Sequence, residues 1–452
     1  MSEQLRIAIV GGGIGGLTAA LALRARGLKV TVFEQASVLR EIGAGVSIQP
    51  NAALLLQRIG LTDGIKKIGS AITGFLLRTS LGEVINTSAR TWTGAQGYNV
   101  HRAEFLKLLI DVQLKGTLHF DHRLSAAKQT NSHVQLTFSN GKTVDADIVI
   151  GADGIHSALQ RESDLKTYPS SEGIMAYRGL IPTERLSWAK DIGGGMSMWI
   201  GKGRSFLCYP VSGGRLMNMV AFVPTNLDSE ESWTAPGDLK ALGAEYAGWH
   251  DPVLETIGAL DQTFRWGIYD RAPLPYWSTG RMTLLGDAAH PMVPHIGQGA
   301  AQAIEDGFTL AVLLEGAKWK DIPKRLETYE KLRIERTTRI QALAREAGRF
   351  FRAEYENASE RDRLMGKWMS ATGWIRGHDA EQTAKEALLL VSNEQGDRLK
   401  RRLPKLARCD ISWRRSNAVA FGAKWTFERF SVRADHAIDP KRSGNVDGFT
   451  LP

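Results

Sequence analysis

The chain opens on LRIAIV, an apolar run too short for a helix and followed at once by GGGIGG. Such a run reads as a buried strand entering a tight turn. Beyond the glycines, Ile14, Leu17 and Leu21 recur at helical spacing, and Gly27 supplies a helix stop. KVTVFEQ then reads as a second strand, which completes a βαβ unit. Two later apolar runs that end in turn residues, ADIVIGADG (146–154) and RMTLLGDAA (281–289), predict further buried strands. Between them the pattern changes. GMSMWIG, RSFLCYPV and RLMNMVAFVP are bounded by glycine and rich in β-branched and aromatic residues, and they predict an antiparallel sheet over roughly 170–275. After Gly297 the apolar period lengthens to that of a helix. In RLETYEKLRIERTTRIQALAREAG, one face carries Leu326, Tyr329, Arg333, Arg336, Ile340 and Leu343. Two arginines on that face imply a partly polar neighbour.

The pattern therefore predicts an α/β domain interrupted by a β-rich insert, then helices, with no internal repeat of 20–50 residues. At 452 residues, 43% hydrophobic and 23% charged, the composition is that of a globular protein with ample core. Charge changes the picture only at the end of the chain. Residues 396–452 hold 13 Lys/Arg and 6 Asp/Glu, whereas the other 395 residues hold 44 and 42. The body thus lacks the basic surface of a nucleic-acid binder, and the tail reads as a solvated appendage. Cys208 and Cys409 make neither a metal-ligand spacing nor a disulfide framework. His119 and His122 read H-x-x-H without a third ligand, so no metal is expected. No apolar run is long enough to span a membrane, and no signal peptide is visible, so a cytoplasmic protein is expected.

Candidate chemistry gathers at the strand ends. Gly11, Gly13 and Gly16, with Ile14 and Gly15 between them, form G-x-G-x-x-G between strand and helix. The first glycine permits the turn, the second admits a pyrophosphate, and the third lets helix and sheet approach. Glu34 ends the next strand, placed to accept hydrogen bonds from a ribose. An acid there argues against a 2′-phosphate, but the motif suits NAD and FAD alike. Asp287 follows the third strand, and Gly297, Gln298 and Gly299 open a helix whose N–H groups suit an anion. A helix cap with a Pro-rich loop explains either feature singly and both together poorly. Asp153 and Gly154 begin another helix, where a plain N-cap competes with a ligand contact.

Taken together, GGGIGG, Glu34, GADGIHS and GDAAHPMVPHIGQG resemble the single-component FAD-dependent aromatic hydroxylases of the para-hydroxybenzoate hydroxylase fold, over roughly residues 5–390. EIGAGVSIQPNA, HRAEF, AYRG and YPVSGGRLMNMVAF look most like the salicylate and 3-hydroxybenzoate hydroxylase branch. The resemblance implies a Rossmann-like FAD-binding domain in two parts, 1–168 and 276–345. A β-rich substrate domain at 169–275 would lie between them, with a C-terminal helical segment at 346–395 and the tail at 396–452 outside the likeness. Gly11 to Gly16 would take the pyrophosphate and Glu34 the adenosine ribose. Arg102 and Asp287 would hold the phosphate and ribityl region, and Gly297–Gly299 the pyrimidine edge of the flavin. Pro294, Ala44 and Gly45 would pack about the ring, and Asp153 would serve both FAD and the nicotinamide donor. The family's usual Arg stands here as Gln160, with Arg161 next to it. No second dinucleotide motif is present, so NADH or NADPH would bind transiently.

The substrate side implied is a small phenolic or aromatic acid hydroxylated with O2, by a monomer or homodimer with no nucleic-acid partner and no membrane span. In the related branch a His often stands four residues before a strand Tyr and helps to ionise the phenol. Here the Tyr is Tyr209 and the matching position is Ser205. Tyr209 or His295 would then supply a hydrogen-bond relay, while an ordinary core tyrosine is an equal reading of Tyr209. His290 is read equally well as a structural histidine. The alternatives are hydroxylation of a purine or pyridine ring, epoxidation of an alkene on the same scaffold, and a non-catalytic binding protein.

Overall fold

A computed structural model describes residues 4–38, 44–89, 94–113, 115–162, 165, 168–191, 195–225 and 235–392. The tail at 396–452 and residues 41–43 of the EIGAGVSIQPNA motif lie outside them. A six-stranded sheet orders its strands Ser278–Thr279, Met282–Leu284, Ile148–Gly151, Arg6–Val10, Lys29–Phe33 and Leu118–His119. All pairings are parallel except that of the first two strands. The central strands are near-continuous apolar runs because both faces are covered. The register matters for function. Val10 pairs with Gly151, and Gly151 with Leu284. Three strands therefore end level, and the segments that follow them leave one sheet edge side by side. This is the edge where ligands sit in open parallel sheets.

Helix Ile14–Ala25 packs on helix Gly299–Leu314. Their closeness rests on Gly307, where a Cβ would come within 2.8 Å of the Ala19 Cα. The two helices come from opposite ends of the described chain, so the fold is closed by a long-range contact.

The second sheet has eight strands, in the order Ala235–Pro236, Phe264–Asp270, Ser170–Pro182, Leu216–Pro224, Arg204–Val211, Met196–Gly201, Gly74–Thr79 and Val84–Ala89. The last two come from the part of the chain expected to serve the cofactor domain alone. One of them, Gly74–Thr79, pairs in parallel with Met196–Gly201, so the sheet is mixed rather than purely antiparallel. One face is sealed by helices Leu239–Glu245 and Asp251–Gly258 around Tyr177, Trp199, Phe206 and Tyr246. The buried Tyr246 hydroxyl bonds to the carbonyls of Ser205 and Phe222, and the Trp199 indole N–H donates to His250 Nδ1, so both polar groups are satisfied. The opposite face carries Ile174, Ala176, Phe222 and Ile268, which meet Val293 and Ala344. A small sheet of Gly45–Ile48, Tyr98–His101 and Gly69–Ala71 completes this part of the fold.

Helix Ile322–Phe350 runs unbroken through the expected boundary at 345/346, and helices Ala358–Arg376 and Ala380–Ser392 follow. Among the described residues no helix is long and apolar enough to cross a membrane. His119 and His122 pack on Phe33, with ring centroids 5.6 and 5.4 Å away.

Candidate active site

The first βα turn is built as its glycines require. Gly11 has φ +110°, and a Cβ there would lie 2.2 Å from the Ala152 carbonyl oxygen; one on Gly16 would lie 2.0 Å from that of Gly11. No L side chain fits at either position. Gly13 differs: a Cβ added there meets nothing within 4 Å, so this backbone faces open space. Ile14 begins the helix and buries its side chain in the core. The helix has no side-chain cap and no acid in its first turn, which leaves its leading N–H groups for an anion. Gly15 brings the turn against the other motif, since its Cβ would reach Leu285 Cδ1 at 2.8 Å and Ala303 Cβ at 3.1 Å. Glu34 is buried and clamped: Gly12 N donates to one carboxylate oxygen (2.7 Å) and Ala36 N to the other (2.8 Å). Each oxygen keeps a lone pair, so the acid is oriented without being used up.

The Asp287 segment leaves the same edge. Gly286 takes φ +60° and starts a tight turn through Ala288. Asp287 is exposed, yet it is surrounded by protein at longer range. Restricted solvation pushes its carboxyl above the ordinary aspartate value, against the pull of His290 and Arg102. Arg102 begins helix Arg102–Asp111, and its N–H donates to the Ala44 carbonyl at 2.9 Å. The turn at Gly297, with φ +62°, lies beside Ser47 of strand Gly45–Ile48 and Gln49, which follows that strand. Gln298 is buried and accepts from Asn51 (3.3 Å) and Gln302 (2.9 Å). A Cβ on Gly299 would stand 4.0 Å from the Asp287 carboxylate, so both halves of this motif face one space. Pro294 is exposed beside it. Helix Gly299–Leu314 also lacks an acid in its first turn.

Asp153 caps helix Ala158–Glu162, with one oxygen accepting from Ala158 N (2.7 Å) and Leu159 N (3.2 Å). Its other oxygen is buried with no hydrogen-bond partner, so capping uses only half of the carboxylate. Gln160 is buried and reaches the Ala288 carbonyl at 3.4 Å, behind the Asp287 turn, while Arg161 bonds to the carbonyl of His156.

On the eight-stranded sheet, Tyr209 stands opposite Asn218 in the ladder. Both meet Gly45: its N–H donates to Asn218 Oδ1 at 2.7 Å, and a Cβ would strike the Tyr209 ring at 2.5 Å. Asn218 Nδ2 is buried with no partner. Burial pushes the Tyr209 hydroxyl well above the usual tyrosine value, although Arg178 pulls the other way. Arg178 is itself buried, with its guanidinium 4.6 Å from the Trp266 ring centre. Asn218 and Arg178 lay inside the motif strings without being singled out, because nothing local marks an inward-facing polar residue on a strand.

His295 is not brought to Tyr209. Its ring lies 4.8 Å from that of Phe222, fills the space left by Gly348, and accepts a hydrogen bond from Arg352 at 3.3 Å. Burial and the Arg352 charge push it down to about 3, so it stays neutral. Ser205 is fully buried, and its hydroxyl has no partner.

The space bounded by these segments suits FAD. Two uncapped helix N-termini face it, a glycine admits close approach, and two carboxylates retain free acceptor oxygens. Comparison with known proteins agrees. The family described as FAD binding domain matches residues 4–347. A 3-amino-4-hydroxybenzoate 2-monooxygenase of Streptomyces platensis is 36% identical over 84% of this chain and 97% of its own length. A 6-hydroxynicotinate 3-monooxygenase of Bordetella bronchiseptica is 35% identical over 76% of this chain and 91% of its own. A solved salicylate hydroxylase substrate complex superposes with TM-score 0.75 at 28% identity, over 85% of this chain and 98% of that one. The chain belongs to this FAD-binding family and is a flavoprotein monooxygenase with FAD as its cofactor.

Proposed function

We propose that the protein hydroxylates a small aromatic acid that bears a ring hydroxyl, with NAD(P)H as the transient electron donor and O2 as the oxidant. The observation that carries this reading is the meeting of Tyr209, Asn218 and Gly45 close to the buried Arg178. The Tyr209 hydroxyl and Asn218 Nδ2 are donors, and Arg178 is a cation. They complement a carboxylate or phenolate and offer little to a neutral hydrocarbon. The relatives' names, which specify hydroxylated benzoate and nicotinate rings, point the same way.

Bound FAD supplies reduction by the nicotinamide and activation of oxygen. The residues do the rest. Gly11 to Gly16 and the helix behind them take the pyrophosphate, and Glu34 takes the adenosine ribose. Arg102 and Asp287 hold the middle of the cofactor, and Asp153 offers its second oxygen nearby. Gln298 and Gly299 offer backbone N–H groups to the flavin edge, where fixed dipoles favour negative charge, while the Gly297 N–H closes the turn on the Pro294 carbonyl. Pro294 packs about the ring, and Gly45 lets Tyr209 and Asn218 come close to its backbone. Tyr209 stays protonated and donates to the substrate oxygen. The positive potential of Arg178 favours the phenolate, which does part of what a base at position 205 does in the related branch. His295, neutral and engaged by Arg352, acts as a wedge that sets the Pro294–Gly297 turn.

The test is a panel of hydroxylated aromatic acids with their methyl esters and carboxamides. Oxygen uptake and a product heavier by one oxygen are expected for acids only. Equal turnover of the esters, or turnover of purines alone, would remove the carboxylate from the proposal.

A further inference from the structure

The residues behind Asp287 form a device that the mechanism above leaves unused. Asp306, on the third turn of helix Gly299–Leu314, is fully buried. One of its oxygens accepts from Gly286 N at 2.9 Å and from His290 Nε2 at 2.6 Å. These donors are the first and last residues of the turn 286–290, whose two remaining internal bonds run from Ala289 N and His290 N to the Gly286 carbonyl. The second oxygen is held by Arg333 Nε at 2.7 Å. The Arg333 guanidinium also reaches Glu305 and the Gln302 side chain, and both of these belong to the set around Gln298. From the other side Gln160 touches the Ala288 carbonyl. The Asp287 turn is thus gripped at both ends by one carboxylate, and that carboxylate is fixed by a guanidinium that also holds Gln302, whose amide bonds to Gln298 of the flavin-edge turn.

We propose that Asp306 is a positioning residue for the cofactor: it fixes the Gly286–His290 turn in the shape that aims the Asp287 carboxylate at the ribityl region. The inference rests on the assignment of Asp287 to FAD. A carboxylate in this place is not needed simply to bury a helix, because a residue pair of apolar shape would do that at no desolvation cost. It is needed to hold two donors from a turn whose starting glycine has a left-handed backbone.

The experiment is a double-mutant cycle on the full-length chain, with FAD affinity read by titrating FAD into deflavinated protein and the melting of the apoprotein read beside it. Asp287→Asn, Asp306→Asn and the double variant are compared with the native chain. Asp306→Asn is expected to weaken FAD roughly tenfold in the native background and under about threefold when Asp287 is already Asn, since coupled residues depart from additivity. The same factor in both backgrounds would overturn the proposal, because a purely structural loss ignores what stands at 287. Should Asp306→Asn fail to fold, His290→Phe removes one grip while keeping the acid, and the same cycle decides. An Asp287→Asn variant that binds FAD normally would instead sink the cofactor assignment, a separate failure.

Discussion

The two halves of the cofactor cradle are made rigid by different physics. The first βα turn is held by sterics and by close backbone contacts: no side chain fits at Gly11, against the Ala152 carbonyl, or at Gly16, and Glu34 is oriented by Gly12 and Ala36. The Asp287–Gly299 segment is held from a distance. Helix Ile322–Phe350 supports it along its length. The Tyr329 hydroxyl donates to the Leu284 carbonyl (2.9 Å), Arg333 holds Asp306, and Gln341 donates to the Pro291 carbonyl (2.7 Å). Gly348 makes room for His295. The lesson is that a site can combine a self-sufficient half with one that stands only when another element is docked behind it.

That contrast can be broken experimentally. The largest effect is expected at the shared guanidinium. Arg333→Met leaves Glu305 and Asp306 buried beside a lost partner, and a cost of about 3–5 kcal/mol in denaturant unfolding is expected. A change under about 1 kcal/mol would mean the distant support is dispensable. The same network makes stability depend on pH. Burial alone would raise the Glu305 pKa, but Arg336 and Arg333 outweigh it and hold the carboxyl below the usual range. Its contribution is therefore full above the unfolded value near about 4 and is lost as pH falls through the depressed folded value. Glu305→Gln should flatten that acid limb in melts taken at descending pH.

Asp287→Ala comes next. Loss of a charge-assisted contact should weaken FAD by about 1.5–3 kcal/mol, so that the protein purifies pale. Full flavin occupancy would count against its role. Because the Asp287 carboxyl titrates above the ordinary aspartate value, FAD affinity should fall as pH drops through that raised value, and the Ala variant should lose this dependence. Tyr209→Phe should leave flavin content intact and slow hydroxylation by about 1–2 kcal/mol of barrier; unchanged turnover would return Tyr209 to an ordinary core role. The smallest effect is expected at the first βα turn. Glu34→Gln keeps one acceptor and turns an NH2 toward the N–H of Gly12 or Ala36, so it should lower FAD affinity several-fold, by about 1 kcal/mol.

The same contrast explains what was legible in the sequence. The βα turn, the strands ending at Gly151 and Leu284, and the glycine turn at Gly297 were readable because period and backbone conformation are local properties. The arginines on the face of helix Ile322–Phe350 foretold a polar neighbour, and that neighbour is Glu305 and Asp306. Their identity was hidden because an ion pair across 27 residues leaves no periodic mark. Arg178 and Asn218 were equally silent, since strand alternation says which residues face one way and not what they face. The recruitment of Gly74–Thr79 into the larger sheet was missed for a related reason. A strand pairs with whichever edge the rest of the fold leaves open, and that edge is made by residues more than a hundred positions away.

Helix Ile322–Phe350 has one more consequence, for how the protein is made. A ribosome adds roughly 5–20 residues per second, and the N-terminal dinucleotide turn is complete long before residue 350 is joined. During that interval the half of the proposed cradle assigned to the adenosine end is made and the Asp287 turn has no backing. On that assignment, full capture of the flavin waits until helix Ile322–Phe350 is made, a late event in the life of the polypeptide.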